Sequence, residues 1–260
     1  MSAAIEFRNV CVAAAGGRQL LDGISLVLEE GTTTAVLGRS GSGKTTLLRT
    51  VNRMIEASSG EVRIDDKDVR GLDPIPLRRT MGYVIQEAGL FPHFSVERNV
   101  GLMLEAQDCP CQERLRRSHE ILTAVGLEPA TFARRYPHQL SGGQRQRVSV
   151  ARALAAEPKI LLMDEPFGAL DPLTRAEMQD MLRNLLYRLK KTALLVTHDL
   201  DEALYLADRI VLIDQGRLTA NLGRDELMQS QLPAIQDYVR AYHRGGERAD
   251  SSGAVQESPG

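Results

Sequence analysis

Eight residues constrain this chain more than any others: Gly38, Arg39, Ser40, Gly41, Ser42, Gly43, Lys44 and Thr45, in the pattern G-x-x-x-x-G-K-[ST]. The short apolar run Thr34-Ala35-Val36-Leu37 before them reads as a strand. The residues after them read as a helix from Lys44 to Glu56, stopped by Ser58-Ser59-Gly60. A strand running through such a loop into a helix is the setting in which this pattern binds phosphate. Glycines let the backbone close around an anion and present its N–H groups. The helix N-terminus adds partial positive charge. Lys44 brings an ammonium to the β- and γ-phosphates, and the Thr45 hydroxyl suits Mg²⁺. ATP is the expected ligand, held by residues 38–45 and the adjoining Thr46.

Two further segments carry chemistry. Lys159 to Met163 reads as a strand, and Asp164-Glu165-Pro166 follows it. Carboxylates at the carboxyl end of a strand in an α/β sheet stand where ligands bind. Asp164 can hold Mg²⁺ through its water shell, and Glu165 can orient or deprotonate an attacking water. Leu140-Ser141-Gly142-Gly143-Gln144 opens a helix expected over Ser141 to Ala156. Ser141 is a good N-cap, and the glycines again expose N–H groups at a helix start. One chain thus carries two anion-type turns, far apart in sequence.

Around these motifs strands and helices alternate. Strands are expected at Ile5 to Val12, Ile24 to Leu28, Glu61 to Ile64, Met81 to Ile85, Ala193 to Val196 and Arg209 to Ile213. Helices are expected at Glu113 to Val125, Thr174 to Leu189 and Leu200 to Ala207. Alternation of this kind implies a parallel sheet with helices on its faces. Residues 90–156 are mostly helical and interrupt that α/β core. Residues 244–260, rich in Gly, Ser and charge, read as a disordered tail.

Composition narrows the class. The chain has 260 residues, 43% apolar, enough for a full core. Its net charge of -2 disfavours a general nucleic-acid binder. Cys11, Cys109 and Cys111 are an odd count in a long chain, which points to reduced thiols and a cytoplasmic setting. No apolar run approaches the roughly 18–20 residues that span a bilayer. The start lacks the basic and apolar regions of a signal peptide. Any membrane attachment is expected to be peripheral, through a partner.

The order of the phosphate loop, Gln86, Ser141 to Gln144, Asp164-Glu165, Gly168-Ala169-Leu170-Asp171 and His198 resembles the ATP-binding-cassette (ABC) transporter ATPases, over residues 3 to 242. The resemblance implies an α/β P-loop NTPase fold with a mostly parallel sheet, an N-terminal antiparallel β portion and a helical subdomain. It places the cassette at 1–243, its core at 1–89 and 157–243, and the helical subdomain at about 90–156. Two copies would sandwich each ATP between the phosphate loop of one and Ser141, Gly142, Gly143 and Gln144 of the other. Gln86 would touch Mg²⁺ and sense the membrane partner. His198 would contact the γ-phosphate, and Asp171 would couple the two sites. The catalytic set is then Glu165, His198, Lys44 and Gln86, and the metal set Thr45, Gln86 and Asp164.

Asn52-Arg53-Met54-Ile55-Glu56, Met81 to Gln86 and Leu90-Phe91-Pro92-His93 resemble importers of quaternary-amine osmoprotectants such as glycine betaine, choline and carnitine. Ala57 stands where those relatives often have proline. Many of them carry C-terminal regulatory domains, for which this chain is too short, so ionic-strength sensing of that type is not expected. Expected partners are a second copy, transmembrane permease subunits and, indirectly, a solute-binding protein, with no nucleic acid. An importer for an amino acid and a soluble ABC ATPase are the competing readings. One departure stands out: the family's adenine-stacking aromatic is missing from Val12-Ala13-Ala14-Ala15-Gly16-Gly17. Weaker ATP binding and weaker adenine selectivity are expected, unless another side chain such as Leu20 or Val12 covers the base instead.

Overall fold

The computed structural model describes residues 3–233 and 235–240. The tail expected at 244–260 lies outside them. Two sheets organise the chain. The first is antiparallel, in the order β2-β1-β4-β5, from β1 (Ala3–Ala13), β2 (Gln19–Glu29), β4 (Ser59–Ile64) and β5 (Lys67–Asp68). The second has the order β10-β9-β3-β8-β7-β6. Its strands β3 (Thr33–Leu37), β6 (Met81–Val84), β7 (Ile160–Asp164), β8 (Thr192–Thr197) and β9 (Arg209–Asp214) are parallel. Only β10 (Arg217–Gly223) runs antiparallel, against β9.

The central strands are buried on both faces, which is why they read as unbroken apolar runs. In β3, Ala35 and Leu37 enter one apolar cluster and Val36 enters the other. In β8, Ala193 and Leu195 face the first, and Leu194 and Val196 the second. The second cluster joins the sheet to the antiparallel sheet and to α1 (Lys44–Val51) through Phe7, Ile24, Leu28, Leu47 and Leu48. The first joins the opposite face to α6 (Gly142–Leu154), α7 (Pro172–Leu189) and α8 (Leu200–Leu206). It continues without a break into α3 (Val96–Glu105) and α4 (Cys111–Ala124) through Val96, Val100, Leu104 and Leu122. The short helices α2 (Pro74–Arg79), α5 (Pro129–Phe132) and α9 (Arg224–Gln229) complete the fold.

Several elements differ from the sequence expectation, each for a local reason. The helix after the phosphate loop stops at Val51, not Glu56. Arg53 adopts a left-handed φ of 53°, and the N–H groups of Met54 and Ile55 both return to the Arg49 carbonyl. This is the geometry that ends helices. Helix α7 starts at Pro172 because Asp171 caps it, with proline in the first turn. Helix α4 starts two residues early, at Cys111.

Candidate functional site

The carboxyl ends of β3, β6, β7 and β8 lie along one edge of the parallel sheet, and the chain leaves each through a predicted site residue. Beside β3 the strand order departs in both directions, to β8 and to β9. This is where open α/β sheets bind ligands.

From β3 the chain enters the phosphate loop. Gly43 precedes α1 at a φ of 107° and offers no side-chain cap. A Cβ there would sit 2.7 Å from the Leu20 carbonyl oxygen, and one at Gly38 would sit 2.4 Å from that of Ile213. Only glycine fits either position. The β9–β10 turn is bolted beneath the loop, with the Gly216 N–H donating to the Ser42 carbonyl. The first N–H groups of α1 therefore face an anion site without an internal cap. Lys44 is only 5% exposed. Its ammonium donates to the Gly38 carbonyl at 2.8 Å and the Arg39 carbonyl at 3.0 Å. It forms no ion pair among the described residues. Burial pulls its pKa down, and the Glu165 and Asp164 carboxylates push it back up. A buried cation solvated only by carbonyls attracts an anion strongly.

From β7 the chain leaves through Asp164 and Glu165. The Thr45 hydroxyl donates to Asp164 Oδ1 at 2.8 Å, and Arg49 approaches Oδ2 at 3.8 Å. Glu165 holds a left-handed φ of 47°, and its N–H is pinned to the Val196 carbonyl. Such strain in a non-glycine residue persists where the surroundings fix it. From β8 the chain reaches His198, whose Nδ1 lies 3.3 Å from Glu165 Oε2. Gln86 follows β6 and is exposed, its amide nitrogen beside Gly168.

The residues offered to a metal are a hydroxyl, a carboxylate and an amide, all hard oxygen donors that suit Mg²⁺. No group of three or more His, Cys, Asp or Glu among the described residues could cage an ion.

The structure does not bring Ser141 to Gln144 to this cluster. Ser141 caps α6 by accepting from the Gln144 N–H at 3.2 Å, and the Gln144 side chain accepts from the Ser141 N–H at 3.0 Å. This is a reciprocal capping box. The nearest neighbours of Gly142 and Gly143 are Leu170 and Thr174, around the start of α7. Asp171 caps α7 there, and hydrogen bonds from Thr174 hold its carboxyl below the usual range. Within one copy, phosphate loop and Ser-Gly-Gly turn are therefore separate sites.

Val12 does not cover an adenine. It is 2% exposed and locked in the core between sheets, because β1 turns that side chain inward. Leu20 is half-buried, with its carbonyl against Gly43, and Ala13 and Ala15 are exposed. Sequence reasoning missed Arg49, whose place opposite Asp164 depends on helix phase, and Glu202. The spacing Asp199-x-x-Glu202 resembles an ordinary capping box and so concealed the second of these.

Comparison with known proteins fits this geometry. Residues 21–168, more than half of the chain, match the ABC transporter family. The glycine betaine uptake system ATP-binding protein YehX of Escherichia coli is 42% identical, over 97% of this chain and 87% of that protein. The choline transport ATP-binding protein OpuBA of Bacillus subtilis is 43% identical over 87% of this chain. The chain spans 59% of that relative's length. Among solved structures, the cassette MJ0796, described as a dimeric post-hydrolysis state bound to ADP and Pi, superposes with a TM-score of 0.75 at 33% identity. It covers 85% of this chain, which spans 98% of it. CbiO1 from Clostridium perfringens gives 0.82 at 28% identity, over 92% of this chain and all of that one. With the motifs, the fold and these relatives in agreement, the chain belongs to the ABC transporter family.

Proposed function

We propose that the chain is the ATP-hydrolysing subunit of an importer for a quaternary-amine osmoprotectant, acting as a two-fold dimer. One observation carries this reading. A helix N-terminus with a buried lysine stands beside a Glu165–His198 pair, while a second anion turn is displayed elsewhere on the chain. A helical arm, residues 90–156, carries that turn to the partner copy. Each ATP then lies between one copy's Lys44 and the other's Ser141 to Gln144, a self-complementary interface closed by ligand.

In the closed site, Lys44 and the α1 N–H groups neutralise the β- and γ-phosphates. Thr45, Asp164 and Gln86 would hold Mg²⁺, which would supply charge compensation for the phosphates. Glu165 orients the attacking water, and His198 fixes both Glu165 and the γ-phosphate. Catalysis is then positioning plus electrostatic stabilisation. Asp171, at the head of α7 and next to the Ser-Gly-Gly turn, links the two sites.

The permease is read onto a groove of about 350 Å³ lined by Met54, Tyr83, Phe91 and Met103. Met54 is 53% and Phe91 42% exposed, an apolar surface suited to a helix. No described helix is long and apolar enough to cross a membrane; in this reading the permease supplies the span. Arg116 and Arg117 are paired with Glu113, which balances the charge of that helix face. The substrate class follows the relatives, whose names include choline and glycine betaine.

The test is Glu165→Gln with ATP and Mg²⁺. The variant should run at twice the 28.6 kDa mass of one chain and hydrolyse ATP very slowly. A strictly monomeric species, alone and with its membrane complex, would overturn the dimer. For the substrate, reconstitution with co-purifying membrane and binding subunits should give ATPase stimulation by glycine betaine, choline or carnitine. Stimulation by amino acids alone would reject that class.

A further inference from the structure

Behind the Glu165–His198 pair lies a cavity of about 40 Å³, lined in part by Glu165, His198, Thr197, Arg175 and Glu202. Two of these side chains each keep one buried polar atom without a partner. Glu202 is 4% exposed, and its Oε1 is buried without a hydrogen-bond partner. Its position three residues after the α8 cap suggests a capping box, in which its carboxylate would accept from the Asp199 N–H. That N–H instead donates to the Thr197 hydroxyl at 3.0 Å. Helix capping therefore does not account for the buried carboxyl, which takes one hydrogen bond, from the Thr197 side chain, and leaves Oε1 unpartnered. Arg175, on α7, pairs with Asp199 at 3.5 Å through Nη1, yet its Nε is also buried and unpartnered.

An orphaned acceptor and an orphaned donor, on two residues that line one cavity, are groups a buried water can satisfy. The volume exceeds the roughly 10–15 Å³ that one water needs. We infer that Glu202 is a positioning residue for ATP hydrolysis: with Arg175 it holds a water in this cavity, and the water braces the Glu165–His198 pair from behind. The bridge joins α7, headed by Asp171, to α8, which follows His198. The inference rests on the assignment of Glu165 and His198 proposed above.

Charge around the cavity fits this role. Burial first, then the Asp199 carboxylate, push the Glu202 pKa up to about 8, and Glu165 adds to the rise. Thr197 and Arg175 oppose it. The strands packed beneath α8, β3 and β8, carry no ionisable side chain. On α7, Asp180 and Arg183 are engaged with Tyr205. A protonated carboxyl both donates and accepts, which is what fixing a water requires. Above about pH 8 the carboxylate would repel Glu165 and turn the water.

The test measures kcat, nucleotide affinity and melting for the full chain from pH 6 to 9.5. Glu202→Leu, which removes the carboxyl and fills the cavity, should lower kcat by about 10- to 100-fold, with nucleotide affinity little changed. Glu202→Gln, able to hold the water, should stay within about threefold of wild type at pH 7 and lose the fall in kcat above pH 8. A folded Glu202→Leu with wild-type kcat overturns the inference. If that variant does not fold, Glu202→Gln decides alone, and an alkaline limb identical to wild type overturns it. Glu165→Gln and His198→Ala run alongside. Near-normal turnover in either would sink the underlying assignment whatever Glu202 does.

Discussion

The phosphate loop and the Ser141 turn are both glycine-rich helix starts, yet they are built in opposite ways. The loop is locked inward: Lys44 is buried on its own loop carbonyls, and backbone from β2 and β9 closes against Gly43 and Gly38. The Ser141 turn is satisfied locally by its capping box, and Ser141 and Gly142 are exposed. The first is shaped by contacts from distant strands; the second is complete by itself. If the two are halves of one site, as proposed, that site would be switched by bringing the halves together.

Substitutions can break or sharpen that contrast. The largest effect is expected from Lys44→Ala, which should lose ATP binding and lower kcat/KM by at least ~10²–10³-fold. Next comes a matched pair. Gly43→Ala forces a Cβ against the Leu20 carbonyl at positive φ and should cost roughly 2–4 kcal/mol, read from denaturant melts. Gly142→Ala has only Leu170 within 4 Å, so its stability should stay within ~0.5 kcal/mol while turnover drops. Equal destabilisation of the two would erase the distinction. Ala15→Tyr should strengthen ATP binding by about 1–3 kcal/mol through base stacking, measured by calorimetry. An unchanged affinity would show that the loop's flank already covers the adenine. The smallest effect is Ser141→Ala, about 1 kcal/mol of lost cap by melting.

Much of this was legible in sequence. Fixed spacing and strand–helix context pointed to Lys44, Thr45, Asp164 and Glu165, which the structure gathers at the carboxyl ends of β3 and β7. The double-faced strands were visible as apolar runs. The end of α1 was not, since Arg53 reaches a left-handed conformation through contacts with Leu72 and Glu56 that no local pattern encodes. Val12 was misjudged because alternation along β1 does not say which face meets the second sheet. Glu202 was hidden by a helix-start spacing whose usual meaning is different.

The early end of α1 has a mechanical consequence. Eight residues of helix span only about 12 Å. Lys44 stands at one end of this rod, and Asn52 and Met54, just beyond the other, line the apolar groove. In the proposed complex, nucleotide and docked helix would therefore press on opposite ends of one stiff strut. Whatever free energy the docked helix adds to nucleotide binding, the nucleotide must return in full to the grip on that helix.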